Sequence, residues 1–156
     1  MEFKLNIFLQ NLKLGINLNI DLFASRLNLK IDKFVSWKAD PLAWAVDAFT
    51  LTWNNIMFYA FPPFSIIDKV CHKIMVDRAE GVLNVPSWPT QNWYPLVMKL
   101  CLKPPYFIKP GKDVLILNNE PGTPHPLHTN LHLLVFHVSG QHFNNIIYQR
   151  NQYLLL

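Results

Sequence analysis

Residues 56–85 read IMFYAFPPFSIIDKVCHKIMVDRAEGVLNV, and this stretch decides the fold class. Ile56 to Phe61 is an unbroken apolar run ended by Pro62-Pro63, the pattern of a central strand buried on both faces. Ser65 predicts an N-cap, and the helix that it opens runs to about Glu80. Ile66, Ile67, Val70, Cys71 and Ile74 fall on its inner face, while Asp68, Lys69, Lys73 and Asp77 point outward. Gly81 reads as the C-cap, and Val82 to Val85 as a second apolar strand. Strand, helix and strand in that order form the unit of a parallel sheet.

Working upstream, Ile16, Leu18, Ile20 and Leu22 alternate with Asn17, Asn19 and Asp21, which predicts a strand over Ile16 to Phe23. Before it, Leu5, Phe8, Leu9 and Leu12 recur at helical spacing and predict a short amphipathic helix over 4–14, ended at Gly15. Phe34 to Trp37 is a second short strand, closed at Asp40-Pro41, and residues 42–49 fit helix or strand equally well. Downstream, Pro86-Ser87-Trp88-Pro89 makes a turn. Thr90 then caps a helix through Trp93, Leu96, Val97 and Leu100. Strands are expected at Val114 to Leu117 and Leu131 to Val138, on either side of a Pro/Gly loop at 119–126. The residues from Gln141 onward read as a tail. One domain over 1–140 and a tail over 141–156 are expected, with a mostly parallel sheet between helices.

Composition narrows the classes. With 156 residues, 51% apolar and 15% charged, the chain can bury a core and is excluded from the disordered class. The aromatic share of 13% predicts a bulky core, and twelve Pro against five Gly predict many fixed corners. A net charge of +4 suits a nucleic-acid partner without demanding one. Cys71 and Cys101 form no CxxC and read as small buried hydrophobes of a reducing, intracellular compartment. The opening MEFKLNIFLQNLKLG lacks the apolar run and cleavage site of a signal peptide. Pro41 to Ile67 carries only Asp47 as a charge, yet Asn54, Asn55, Pro62 and Pro63 make it a core segment and not a membrane span.

Most common chemistries find no motif. His125, His128 and His132 are spaced closely and His137 follows, but no HExxH glutamate accompanies them, so no metal site is assigned. A Walker loop, GxGxxG and GxSxG are all absent. The informative residues stand instead at the ends of the expected strands. They are Asp21-Leu22-Phe23-Ala24-Ser25, Asp47-Ala48-Phe49 with Trp53, Tyr59 to Phe64, and Val85 to Tyr94. In open α/β sheets, ligands bind at the carboxyl ends of strands.

These blocks carry two resemblances. DLFASRLN, FVSW, DP, AWAVDAF, YAFPPF, VPSWPTQNWYP and HPLHTNLHLLVFHVSG resemble the segment that follows ribonuclease H in polyproteins of tyrosine-recombinase (DIRS-type) retrotransposons, from about Phe3 to Gly140. The motif order also resembles phage-type Dam DNA adenine methyltransferases. That likeness implies a three-layer α/β, Rossmann-like methyltransferase-type sheet, compact and incomplete, with S-adenosylmethionine as cofactor and nucleic acid as partner. It places Asp21, Ala24 and Asp47 at the cofactor, and Pro62, Pro63 and Phe64 at the catalytic turn.

Adenine's amino nitrogen is a poor nucleophile, because its lone pair is delocalised into the ring. In the enzymes resembled here, an Asn or Asp oxygen and the next proline carbonyl accept its two N–H bonds, and an aromatic ring stacks on the flipped base. Phe61 stands where Asn or Asp is expected, and a phenyl ring accepts no such bond. Asn54 and Asn55 are the nearest upstream amides. Three readings follow: a catalytically degenerate scaffold retaining nucleic-acid association, an active methyltransferase, and a decayed copy without either property.

Overall fold

A computed structural model describes residues 2–3, 16–26, 28–109, 115–117, 120–124 and 131–141. The strands are β1 (Glu2–Phe3), β2 (Ile20–Asp21), β3 (Val35–Ser36), β4 (Ala45–Val46), β5 (Met57–Ala60), β6 (Glu80–Pro86), β7 (Tyr106–Ile108), β8 (Leu115–Leu117), β9 (Glu120–Pro124) and β10 (Leu133–Ser139). The helices are α1 (Ile67–Asp77) and α2 (Tyr94–Leu100). The fold is mixed α/β.

Its centre is a five-stranded sheet in the order β2-β5-β6-β10-β7. Strands β2, β5 and β6 are parallel, whereas β10 runs antiparallel to both of its neighbours. The sheet is therefore mixed: β2, β5, β6 and β7 share one direction, in keeping with the mostly parallel sheet expected, and β10 opposes them. Beyond β2 the chain continues outward: Asp21 bridges Phe34 in parallel, and β3 pairs with β4 in parallel. Strands β8 and β9 form a separate small sheet with β1. The expected loop at 119–126 thus contains β9.

The segment β5–α1–β6 follows the sequence pattern, with differences at both helix ends. A 3-10 turn spans Phe64–Ile66 ahead of α1, and Ser65 makes no capping bond. Arg78, at φ 51°, takes the left-handed position that closes the helix. Gly81 belongs instead to β6, where it lies against β5. A Cβ there would sit 2.3 Å from the Phe58 carbonyl oxygen and 2.6 Å from the Phe58 ring. Thr90 likewise caps nothing, since α2 begins at Tyr94 with Trp93 at its N-cap. The alternating run Ile16 to Phe23 pairs as a strand only at Ile20–Asp21.

Both described helices bury their inner residues on one face of the sheet. Ile67, Val70, Cys71 and Ile74 of α1 and Val97 and Leu100 of α2 meet Phe58, Leu83, Val85 and Phe136 there. Trp53, Phe58, Ile67, Val70 and Val85, the core residues expected from the pattern, are all fully buried. On the other face, Tyr59, Val82, Leu133 and Val135 pack with Ile16, Leu18 and Ile31. Among the described residues no helix covers that second face; the helix expected at 4–14 and the tail after 141 lie outside them.

Candidate functional site

Chain order reverses between β2 and β5. From β2 the chain steps outward to β3 and β4, then returns to β5 on the opposite side. Such a reversal opens a crevice at the carboxyl ends of the strands, because the following segments leave in opposite directions. A cavity of about 570 Å³ lies there. Residues 22–25 and Asn28 after β2, residues 36–40 after β3, Ala48, and Pro63, Ser65 and Ile66 after β5 form its wall.

Local hydrogen bonds shape each part of this wall. Asp21 pairs in register with Tyr59 and is almost completely buried. Its Oδ2 accepts the Lys30 N–H at 2.9 Å, which draws the loop after β2 back onto the sheet. Asn28 Oδ1 accepts the Ser25 N–H at 2.6 Å and tightens the same loop. The Ser36 hydroxyl donates to the Lys38 carbonyl, and Asp40 Oδ1 accepts the Leu42 N–H at 3.0 Å. Trp53 supports the far side: its indole N–H donates to the Ala48 carbonyl at 2.8 Å, and its ring stacks on Phe49.

Burial raises the Asp21 carboxyl from 3.8 to about 6, against the opposing hydrogen bonds from the Lys30 and Phe23 backbone. Among the described residues its Oδ1 has no hydrogen-bond partner, and the Tyr59 hydroxyl is buried beside the Asn84 amide. Burial and the nearby Asp21 carboxylate raise the Tyr59 phenol well above its ordinary range.

The residues assigned to the cofactor by resemblance divide into two groups. Ala24 lines the cavity. Asp21 lies beneath it as the anchor of the wall, and Asp47 sits one residue outside the wall. Asp47 caps the 3-10 turn of Ala48–Thr50 through its bond from the Phe49 N–H at 3.1 Å, in a left-handed conformation at φ 61°. The turn assigned to catalysis by resemblance is also split. Pro63 lines the cavity and Pro62 is buried. Phe64 meets the Phe61 ring at 6.2 Å and the Trp88 ring edge-on at 5.0 Å.

Phe61 packs toward the second face beside the Tyr59 and Val82 cluster. Asn54 and Asn55 lie before the start of β5, so the full length of that strand separates them from Phe61. They cannot supply the acceptor that Phe61 lacks. Ser36, Trp37, Lys38 and Asn28 are wall residues that no motif in the sequence marks. Their only local signal was the end of the strand at FVSW, and the strand-end rule alone leads to them.

Other reactive side chains are occupied or suppressed. His137 pairs with Glu80 at 2.9 Å, and His132 stacks on Phe107 at 5.2 Å. His125 and His128 lie outside the described residues. Among the described residues no three His, Cys, Asp or Glu side chains gather to hold a metal. Burial pushes the Cys71 thiol up to about 12, and it raises Cys101 as well, so neither thiol is activated as a nucleophile. No described helix is long and apolar enough to cross a membrane. A scan of the chain against protein-family models matches none of them, and a search of curated proteins finds no match.

Proposed function

We propose that this chain is the methyltransferase-like segment of a DIRS-type retrotransposon polyprotein, with a pocket for S-adenosylmethionine beside a silent reacting position. The cavity carries this reading. It stands where the strand order reverses, its size falls within the range of about 300–1,000 Å³ usual for small-molecule sites, and Pro63 of the FPPF turn is part of its wall. The order of strands adds support. Counting β2 as the first, the sheet and its bridged extension read 3-2-1-4-5-7-6, with the seventh antiparallel. That is the doubly wound order 3-2-1-4-5-6 with one strand inserted.

The silence follows from Phe61. Removing one oriented polar group from an active site commonly costs about a hundredfold to a thousandfold in rate. Here the position that should accept the adenine N–H bond carries a hydrocarbon ring turned toward the core. Calorimetric titration of the native chain with S-adenosylmethionine tests the pocket, and labelled methyl transfer to DNA adenine tests the silence. Saturable heat without transfer is the expected result. A chain that takes up no cofactor has no such pocket, and robust transfer by the native chain overturns the silent position.

A further inference from the structure

The same edge of the sheet carries a row of rings that the cavity does not use. Phe64 and Trp88 meet edge-on at 5.0 Å at the ends of β5 and β6. The Ser87 N–H donates to the His132 carbonyl at 2.8 Å, which brings the start of β10 beside the end of β6. His132 then stacks on Phe107 of β7 at 5.2 Å with 26° between the planes. Trp88 is 36% exposed and Phe107 49%, and His132 is exposed beside them. None of these three rings belongs to either core cluster. Folding therefore does not account for their clustering.

The chain segment that carries Trp88 and Phe107 bears charge of one sign. From Gly81 to Lys109 the chain carries Lys99, Lys103 and Lys109 and no carboxylate side chain, and eight of the ten acidic residues precede Gly81. Lys109 directly follows β7, at the edge where His132 enters β10. Exposed rings beside cations, with no acidic residue interposed in this segment, match a partner that offers flat π-faces on an anionic backbone. Stacked bases of a duplex present no such faces; an unpaired strand does.

We infer that the edge from Phe64 through Trp88 and His132 to Phe107 is a stacking surface for an unpaired nucleic-acid strand. The inference deepens the nucleic-acid side of the proposed function and does not require the cofactor. Bases stack on Trp88 and on the Phe107–His132 pair, and Lys109 meets the phosphates. Stacking of this kind is tolerant of sequence, because every base has a π-face.

The test is fluorescence anisotropy of the full native chain with three labelled probes: an oligothymidylate, an abasic strand of the same length and charge, and a blunt duplex. The thymidylate strand is expected to bind at least about tenfold more tightly than the abasic strand, as stacking of one or two bases implies. Trp88→Ala and Phe107→Ala should each weaken it by about fivefold to a hundredfold. Both side chains are exposed, and a thermal melt of each variant verifies the fold. Equal binding of the abasic strand reduces the surface to a cationic patch and overturns the inference. Equal or tighter binding of the duplex, or no binding of any probe, overturns it too. Cofactor titration reads a different site, so its failure and the failure of strand binding are distinguishable.

Discussion

Asp21→Asn should stabilise the protein above about pH 6, although it removes a carboxylate from β2 of the central sheet. Asp21 is 2% exposed, one oxygen holds the Lys30 N–H, and the other has no partner among the described residues. Burial disfavours its ionised form and raises the carboxyl from 3.8 to about 6 in the folded state. Between those two pH values the folded chain binds more protons than the unfolded chain. Stability therefore falls as pH rises through this window, and the full loss is present above about pH 6. At about 1.36 kcal/mol per pH unit, the loss is about 3 kcal/mol. An Asn at this position keeps an oxygen to accept the Lys30 N–H and carries no charge, so it escapes the loss.

The assay is urea unfolding of both proteins, followed by tryptophan fluorescence from pH 3.5 to 8. Every other carboxylate titrates in both chains, so the difference between them isolates Asp21. The variant should gain about 2–3 kcal/mol over the native chain above about pH 6.5, and the gain should vanish toward pH 4. A difference that does not change with pH would show that the burial of Asp21 carries no electrostatic cost. A variant less stable than the native chain at pH 8 would show that the unpartnered oxygen has a partner worth more than the desolvation.

Four further outcomes follow from the packing. Trp53→Phe keeps a ring against Phe49 but loses the indole N–H bond to the Ala48 carbonyl, which keeps the Leu51 N–H, and should cost about 0.5–1.5 kcal/mol by urea unfolding. Gly81→Ala forces a methyl to within 2.3 Å of the Phe58 carbonyl oxygen and should cost at least about 1–3 kcal/mol, read as a lowered melting temperature. Ile67→Ala empties the fully buried start of α1 and should cost about 2–5 kcal/mol in the same measurement. Phe61→Asn restores an acceptor at the FPPF turn; with cofactor bound, labelled methyl transfer above the native background is expected, and persistent silence would place a second defect in the reacting site.

Where the fold was legible, the signal was contiguous. Ile56 to Val85 declares a strand, a helix and a strand because hydrophobic period and chain punctuation change within a few residues. The errors in that segment concern punctuation alone. Gly81 reads as a helix stop, yet its smallness serves the close approach of Phe58, and Arg78 takes the left-handed turn. Ser65 reads as a cap, yet the chain leaving Pro63 is still in a 3-10 turn at that point. Strand direction was less legible. Leu133–Ser139 is an apolar run that reads alike in either direction, and only its register with Glu80–Pro86 makes it antiparallel. The site was half legible for a related reason. Each strand end could be located, but the meeting of Asn28, Ser36 and Pro63 around one cavity depends on the order of strands, which no local pattern encodes.

The cavity wall and the Phe61–Phe64 turn are secured by different parts of the molecule, so the proposed pocket does not depend on the residue at position 61. The wall depends on Asp21 holding Lys30, Asn28 holding Ser25, and Trp53 holding Ala48. None of these bonds involves Phe61. The Phe61 ring packs with Tyr59 and Val82 on the opposite face, where a phenyl group gains burial and an amide would need hydrogen-bond partners. Under the proposed function, phenyl in place of an amide at position 61 leaves the reacting position without an acceptor, keeps these wall bonds in place and adds apolar contact. On that proposal, a pocket braced by three separate hydrogen bonds outlasts chemistry that rests on one side chain.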